Sequence, residues 1–163
     1  MSLIACTCKD ECPTTYSVPA FYQIKLEEFM PAFEAAIQEQ KTEVDAIVTN
    51  TEEPTFENTV VALDRTGLKL DSISGIFFNV LEADGNDEWN EIAEKVSPLL
   101  SDLNDGILLN EALFQRVKTV YDQRESLGLT PEQMRLLTET YKSFVNNGAQ
   151  LNPEQKARLM EIA

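Results

Sequence analysis

Three observations predict an all-α fold, a bundle of about five to six mostly antiparallel helices. After residue 24 the apolar residues step by three and four, the spacing that puts them on one face of a helix. Helix-start signatures recur between these runs, and no stretch of useful length alternates polar and apolar residues with the period of a strand. Short links between the runs favour antiparallel neighbours.

The first helix is read from Leu26, Phe29, Met30, Phe33, Ala36, Ile37, Val44, Ile47 and Val48, with Pro31 near its start, where a missing amide costs little. The second opens at Pro54-Thr55-Phe56-Glu57-Asn58-Thr59. Pro54 disfavours the α conformation at Glu53, and Thr55 is placed to cap the free amides of the first turn. Its core face is Phe56, Val60, Leu63, Leu70, Ile73, Phe77, Val80 and Leu81, with Gly67 a weak point expected to bend it. It is expected to end at Ala83-Asp84-Gly85, the glycine taking a left-handed turn.

Asn86 or Asp87 caps the third helix, whose face is Trp89, Ile92, Ala93, Val96, Leu99, Leu100 and Leu103, with a kink expected at Pro98. Asn110 caps the fourth, through Leu113, Val117, Val120, Tyr121 and Arg124, closed near Gly128. Thr130-Pro131-Glu132-Gln133 opens the fifth, with Met134, Leu137, Tyr141, Phe144 and Val145, ending at Asn147-Gly148. Asn152-Pro153-Glu154-Gln155 opens a sixth, which reaches Ala163 after about three turns with no closing signal. That ending is read as a cut through a longer protein.

Residues 21–163 form the helical domain, and residues 1–20 a polar lead-in expected to be disordered. The lead-in holds all three cysteines, Cys6, Cys8 and Cys12, so none is available to staple the core. Without a fourth Cys or a His nearby they make a poor zinc site. Leu3-Ile4-Ala5-Cys6 looks like the end of a bacterial lipoprotein signal, which makes Cys6 the candidate lipidation site and Thr7 to Thr15 a tether. A bacterial cell-envelope location, periplasmic or lipid-anchored, follows from that reading, with a cytoplasmic one as the alternative.

The net charge of −15, from 28 acidic against 13 basic residues, argues against nucleic acid or an anionic membrane surface as a partner of this domain. The carboxylates are read mainly as solvation of outer helix faces. The chain has no histidine, which removes His-based triads and the two-His zinc helix together. Asp84-Gly85-Asn86-Asp87-Glu88 fails as a calcium loop, because Trp89 and Lys95 stand where glycine and glutamate are required. Catalytic, cofactor-binding and metal-binding residues are therefore all read as absent from this chain. Phe77 and Trp89 are read as core rather than as a ligand groove. Phe78 lies beside the stripe, and it, Tyr141 and Arg116 are candidates for contact with another part of a larger protein.

Several phrases share an order and spacing with a known family: Ile24-Lys25 to Phe29-Met30-Pro31-Ala32, Glu53 to Leu63, Pro98-Leu99-Leu100, Leu108-Leu109-Asn110, the run Leu113 to Tyr121, Gly148-Ala149 with Leu151, and Lys156-Ala157-Arg158-Leu159. From Val18 to Ala163 the chain resembles the amino-terminal region of peptidyl-dipeptidases of the thimet-oligopeptidase-like zinc metallopeptidases. The resemblance implies the helical amino-terminal domain of a larger two-lobed enzyme that releases C-terminal dipeptides from oligopeptides. It implies zinc for the full-length enzyme, held by H-E-x-x-H outside this chain, and a role here as one wall of a substrate channel. The partners implied are the enzyme's own C-terminal catalytic lobe and its oligopeptide substrates. An oligopeptidase A-type endopeptidase and a stand-alone acidic helical interaction module are the alternatives. An apolar patch exposed toward the missing lobe is a further expectation.

Overall fold

A computed structural model describes residues 25–151 and Gln155. The lead-in with Cys6, Cys8 and Cys12, and the sixth helix apart from Gln155, lie outside the described residues. Those that are described form an all-α bundle, with no strand among them.

Helix α1 (Phe29–Val48) follows a 3-10 turn at Leu26–Glu28 and is the spine of the bundle. A π-helical turn, Phe56–Val61, leads into the single turn α2 (Ala62–Asp64). Next come α3 (Leu68–Asp84), α4 (Asp87–Leu108), α5 (Glu111–Asp122) and α6 (Pro131–Asn146), with a 3-10 turn at Arg124–Ser126 between the last two.

The helix starts match expectation. Asn86 Oδ1 accepts from the amides of Glu88 and Trp89, and Asn110 Oδ1 accepts from Leu113. Thr130 and Gln133 cap each other reciprocally, as do Thr55 and Asn58. Each cap satisfies amides that the first turn leaves without an intrahelical partner. At the other end of α6, Gly148 takes φ +88. Helix α4 runs unbroken through Pro98, whose ring is exposed.

Two expectations are corrected. The second helix is not one bent rod: it ends at Asp64, and α3 starts anew after Gly67. Gly67 is buried at φ +77, and a Cβ there would come within 2.5 Å of the Gln40 side chain. Its amide donates to Glu43 Oε2 at 2.9 Å, and Lys69 pairs with Glu39. The break is therefore seated on α1, and left-handed glycine permits it. Gly85, expected to be left-handed, is extended at φ −69 and ψ 149. It lies close enough over Leu81 that a Cβ would meet that carbonyl oxygen.

The core divides along α1. Phe29, Phe33, Ala36 and Ile37, on its first half, pack with Leu70, Phe77, Val96 and Leu103 of α3 and α4. Phe77 meets Phe33 and Phe29 edge to face at 5.4 and 5.1 Å, and Trp89 closes the group 5.3 Å from Phe77. Val44 and Ile47, on the second half, pack with Leu113, Phe114, Val117 and Phe144 of α5 and α6. A third group, Phe56, Val60, Val120 and Leu137, seats the π turn between those two helices.

Candidate functional site

The hexapeptide Pro54 to Thr59 is the centre of a polar node. Asn58 Oδ1 accepts from the Thr55 amide at 2.8 Å, from the Thr59 hydroxyl at 2.9 Å and from Arg116 Nη2 at 3.4 Å. Asn58 Nδ2 donates to the Glu53 carbonyl at 3.0 Å. Thr59 is fully buried, and its bond to Asn58 offsets the loss of hydration. Arg116 completes the node from α5, with Nη1 donating to the carbonyls of Asn50 and Glu52 at 2.8 and 3.2 Å. A cation donating to two carbonyls holds the connection between α1 and the π turn in one shape. Arg116 Nε is buried and has no protein partner.

Beside the node runs an aromatic ladder. Tyr121 and Tyr141 stack at 4.0 Å with an interplanar angle of 4°. Phe114 lies 5.9 Å beyond Tyr141, and Phe144 6.0 Å beyond Phe114. The Arg124 guanidinium covers the outer face of Tyr121 at 4.3 Å, a cation–π contact. Tyr141 accepts from Gln150 Nε2 at 3.1 Å. Lys118 is held above its usual range by its hydrogen bond to Asp122 and then by that carboxylate's charge. The Glu132 carboxyl is held below its usual range by its own backbone amide and then by Thr130, at the start of α6.

The structure thus places the residues singled out in the sequence. Phe77 and Trp89 are core, and half-buried Phe78 rests edge-on against Phe77 at 5.1 Å. Arg116 and Tyr141, candidates for contact with another part of a larger protein, are engaged within this bundle, one clamping a loop and the other stacking. Among the described residues no group of three His, Cys, Asp or Glu side chains is arranged to hold a metal ion. Among them, too, no helix is long and apolar enough to cross a membrane. The large hydrophobic side chains exposed there are Leu68 and Leu127, on different elements.

The sequence reading missed Asn58 as a hub, Thr59 as a buried polar residue and Phe114 as core. Phe114 was legible in part, because it precedes Val117 and Tyr121 by three and seven residues. Asn58 was not, because its partner Arg116 is 58 positions away.

No family model matches the chain. It is 40% identical over 150 residues to a dipeptidyl carboxypeptidase of Salmonella typhimurium, covering 92% of this chain and 22% of that protein. Against the dipeptidyl carboxypeptidase of Escherichia coli the identity is 39% over 144 residues, 88% of this chain and 21% of the other. A thimet-like oligopeptidase of Dictyostelium discoideum is 28% identical over 145 residues, 86% of this chain and 20% of the other. The chain spans about one fifth of the length of these curated relatives.

Proposed function

We propose, from this chain's membership of the peptidase family that holds the dipeptidyl carboxypeptidases and the thimet-like oligopeptidases, that it is the amino-terminal helical part of a peptidyl-dipeptidase. The parent enzyme releases C-terminal dipeptides from oligopeptides. The observation that carries the choice within the family is the gap between 40% identity to a dipeptidyl carboxypeptidase and 28% to the thimet-like oligopeptidase, over similar lengths.

In this reading the bundle is a wall rather than a catalytic centre. A rigid spine packed on both halves, with a pinned loop beside it, suits a surface that limits access to extended peptides. The enzyme's zinc would activate the scissile peptide bond as a Lewis acid. The residues described here do not fit that ion, and the ligands would be supplied from outside them. The partners are the catalytic lobe of the same polypeptide and the oligopeptide substrate. Cys6 would carry a lipid that anchors the enzyme at the bacterial envelope.

The test is hydrolysis of an N-blocked tetrapeptide by the longer natural polypeptide. Release of the C-terminal dipeptide, abolished by a chelator and restored by zinc, is the expected result. Cleavage only at internal bonds of longer peptides would replace the dipeptidase by an endopeptidase. No hydrolysis at all would leave an acidic helical interaction module.

A further inference from the structure

Of the asparagines in the sequence, Asn147 alone is followed by glycine. An Asn-Gly pair converts without an enzyme. The Gly148 amide nitrogen attacks Asn147 Cγ, a C–N bond forms, the bond from Cγ to Nδ2 breaks, and ammonia leaves with the proton given up by the attacking nitrogen. Water then opens the five-membered imide at either carbonyl. One opening leaves aspartate, and the other leaves isoaspartate, with the main chain routed through Cβ. Glycine favours the attack because it has no side chain to crowd the nitrogen. Asp84-Gly85 and Asp105-Gly106 share that neighbour, but ring closure from a carboxylate lacks so good a leaving group and leaves the charge unchanged.

The fold holds Asn147 short of that reaction. It caps α6 with φ −87 and ψ 10. At that ψ the Gly148 nitrogen nearly eclipses the nitrogen of Asn147 itself, whereas ring closure needs it beside Cβ. The Gly148 amide is engaged with the Val145 carbonyl at 3.1 Å, and Asn147 Nδ2 is turned back to donate to the Ser143 carbonyl at 2.8 Å. Gly148, at φ +88, reverses the chain so that the Ala149 amide donates to the Phe144 carbonyl at 2.9 Å. Ala149 is thereby buried in the group that holds Val44, Leu113 and Phe144. Asn147 is exposed, so water and base reach it, and what the fold withholds is geometry. A helix end opens locally at far lower cost than the whole bundle unfolds.

We propose that Asn147 is a site of spontaneous deamidation, reached when the last turn of α6 opens, and that its products rebuild that turn less well. Aspartate has no donor for the Ser143 carbonyl, and it sets a negative charge at the end of a helix where the macrodipole is already negative. Isoaspartate adds a carbon to the main chain just before Gly148 and so displaces the two amides that bond Val145 and Phe144. Either product loosens the seat of Ala149 in the core. Loss of ammonia makes the change one-way, at a rate set by how often the turn opens.

The test incubates the 163-residue chain at pH 8, folded and in urea, and follows every asparagine by peptide mass spectrometry. Asn147 is expected to convert ahead of the other asparagines in both conditions, and at least about tenfold more slowly in the folded chain. The converted chain, separated by ion exchange, is expected to melt about 2–4 °C below the unconverted one, and Asn147→Asp to lower the midpoint in the same direction. Conversion of another asparagine first, or none at Asn147, overturns the site. Equal rates in the folded chain and in urea overturn the protection by the α6 cap. An unchanged midpoint for both the converted chain and Asn147→Asp overturns the loosening of the turn.

Discussion

Arg116 of α5 donates from Nη1 to the carbonyl oxygen of Asn50 at 2.8 Å, across 66 positions of sequence. The same nitrogen reaches the Glu52 carbonyl, so one side chain closes the loop that joins α1 to the π turn. Arg116→Ala leaves those carbonyls and Asn58 without their cation. The expected cost is about 1.5–3 kcal/mol, the range for hydrogen bonds made by a charged donor. Arg116→Lys is expected to recover only part of it, because an ammonium lacks the planar fork. Urea denaturation measures both variants, and an unchanged midpoint for Arg116→Ala would show that the loop is held by something else.

Gly67 and Gly128 form a natural pair, since both have positive φ but only Gly67 is crowded. Gly67→Ala combines left-handed strain with displacement of the Gln40 carboxamide, the flexible end of that side chain, and is expected to cost about 1–2 kcal/mol. Gly128→Ala, with open space around it, is expected to cost only about 1 kcal/mol. Equal losses in chemical denaturation would mean that the seat of the break on α1 contributes nothing.

Phe77→Ala opens a cavity where four aromatic neighbours, Phe29, Phe33, Phe78 and Trp89, converge with Leu70 in the core on the first half of α1. The expected loss is about 3–5 kcal/mol. Phe78→Ala, whose ring is half-buried, is expected to lose less than half as much in the same short chain. A reversal of that order in thermal or urea unfolding would contradict the packing described.

Glu132 gives a pH dependence of known sign. Its carboxyl is depressed in the folded chain, so the stability it contributes is present above its unfolded value and is lost as pH falls through the lower, folded one. Glu132→Gln is expected to lower stability slightly at pH 8, where the carboxylate contributes, and to leave it little changed at low pH, where the carboxyl is protonated in both folded and unfolded chains. Carboxyl titration by NMR checks the direction, and a Glu132 value at or above the usual range would remove the basis for it.

Cys6 is testable in the natural host. Cys6→Ser is expected to shift the protein from the membrane fraction to the soluble one and to abolish incorporation of labelled palmitate. Soluble parent protein without label would discard the lipid anchor and leave the periplasmic and cytoplasmic locations to be separated by fractionation.

Capping and periodicity are local, and so the sequence was sufficient for them. Asn86, Asn110 and Thr130 each satisfy amides two or three residues away, and their helices begin where those side chains stand. The stripe through Phe29, Phe33, Ala36 and Ile37 depends only on helix geometry, and those residues are buried as a stripe must be. The absence of histidine is a property of composition and holds whatever the fold.

The tertiary structure decided what depends on a distant partner. Whether Gly67 bends a helix or ends it is settled by Gln40 and Glu43 of α1, more than twenty positions earlier. Whether Arg116 faces solvent or clamps a loop is settled by the carbonyls at positions 50 and 52. The two halves of the core are assigned to α1 by the order in which helices pack on it, which no local pattern records. The physical reason is one of range. A cap or an apolar stripe is specified by neighbours within a turn or two, whereas a glycine break or a buried cation acquires its role only when the bundle closes around it.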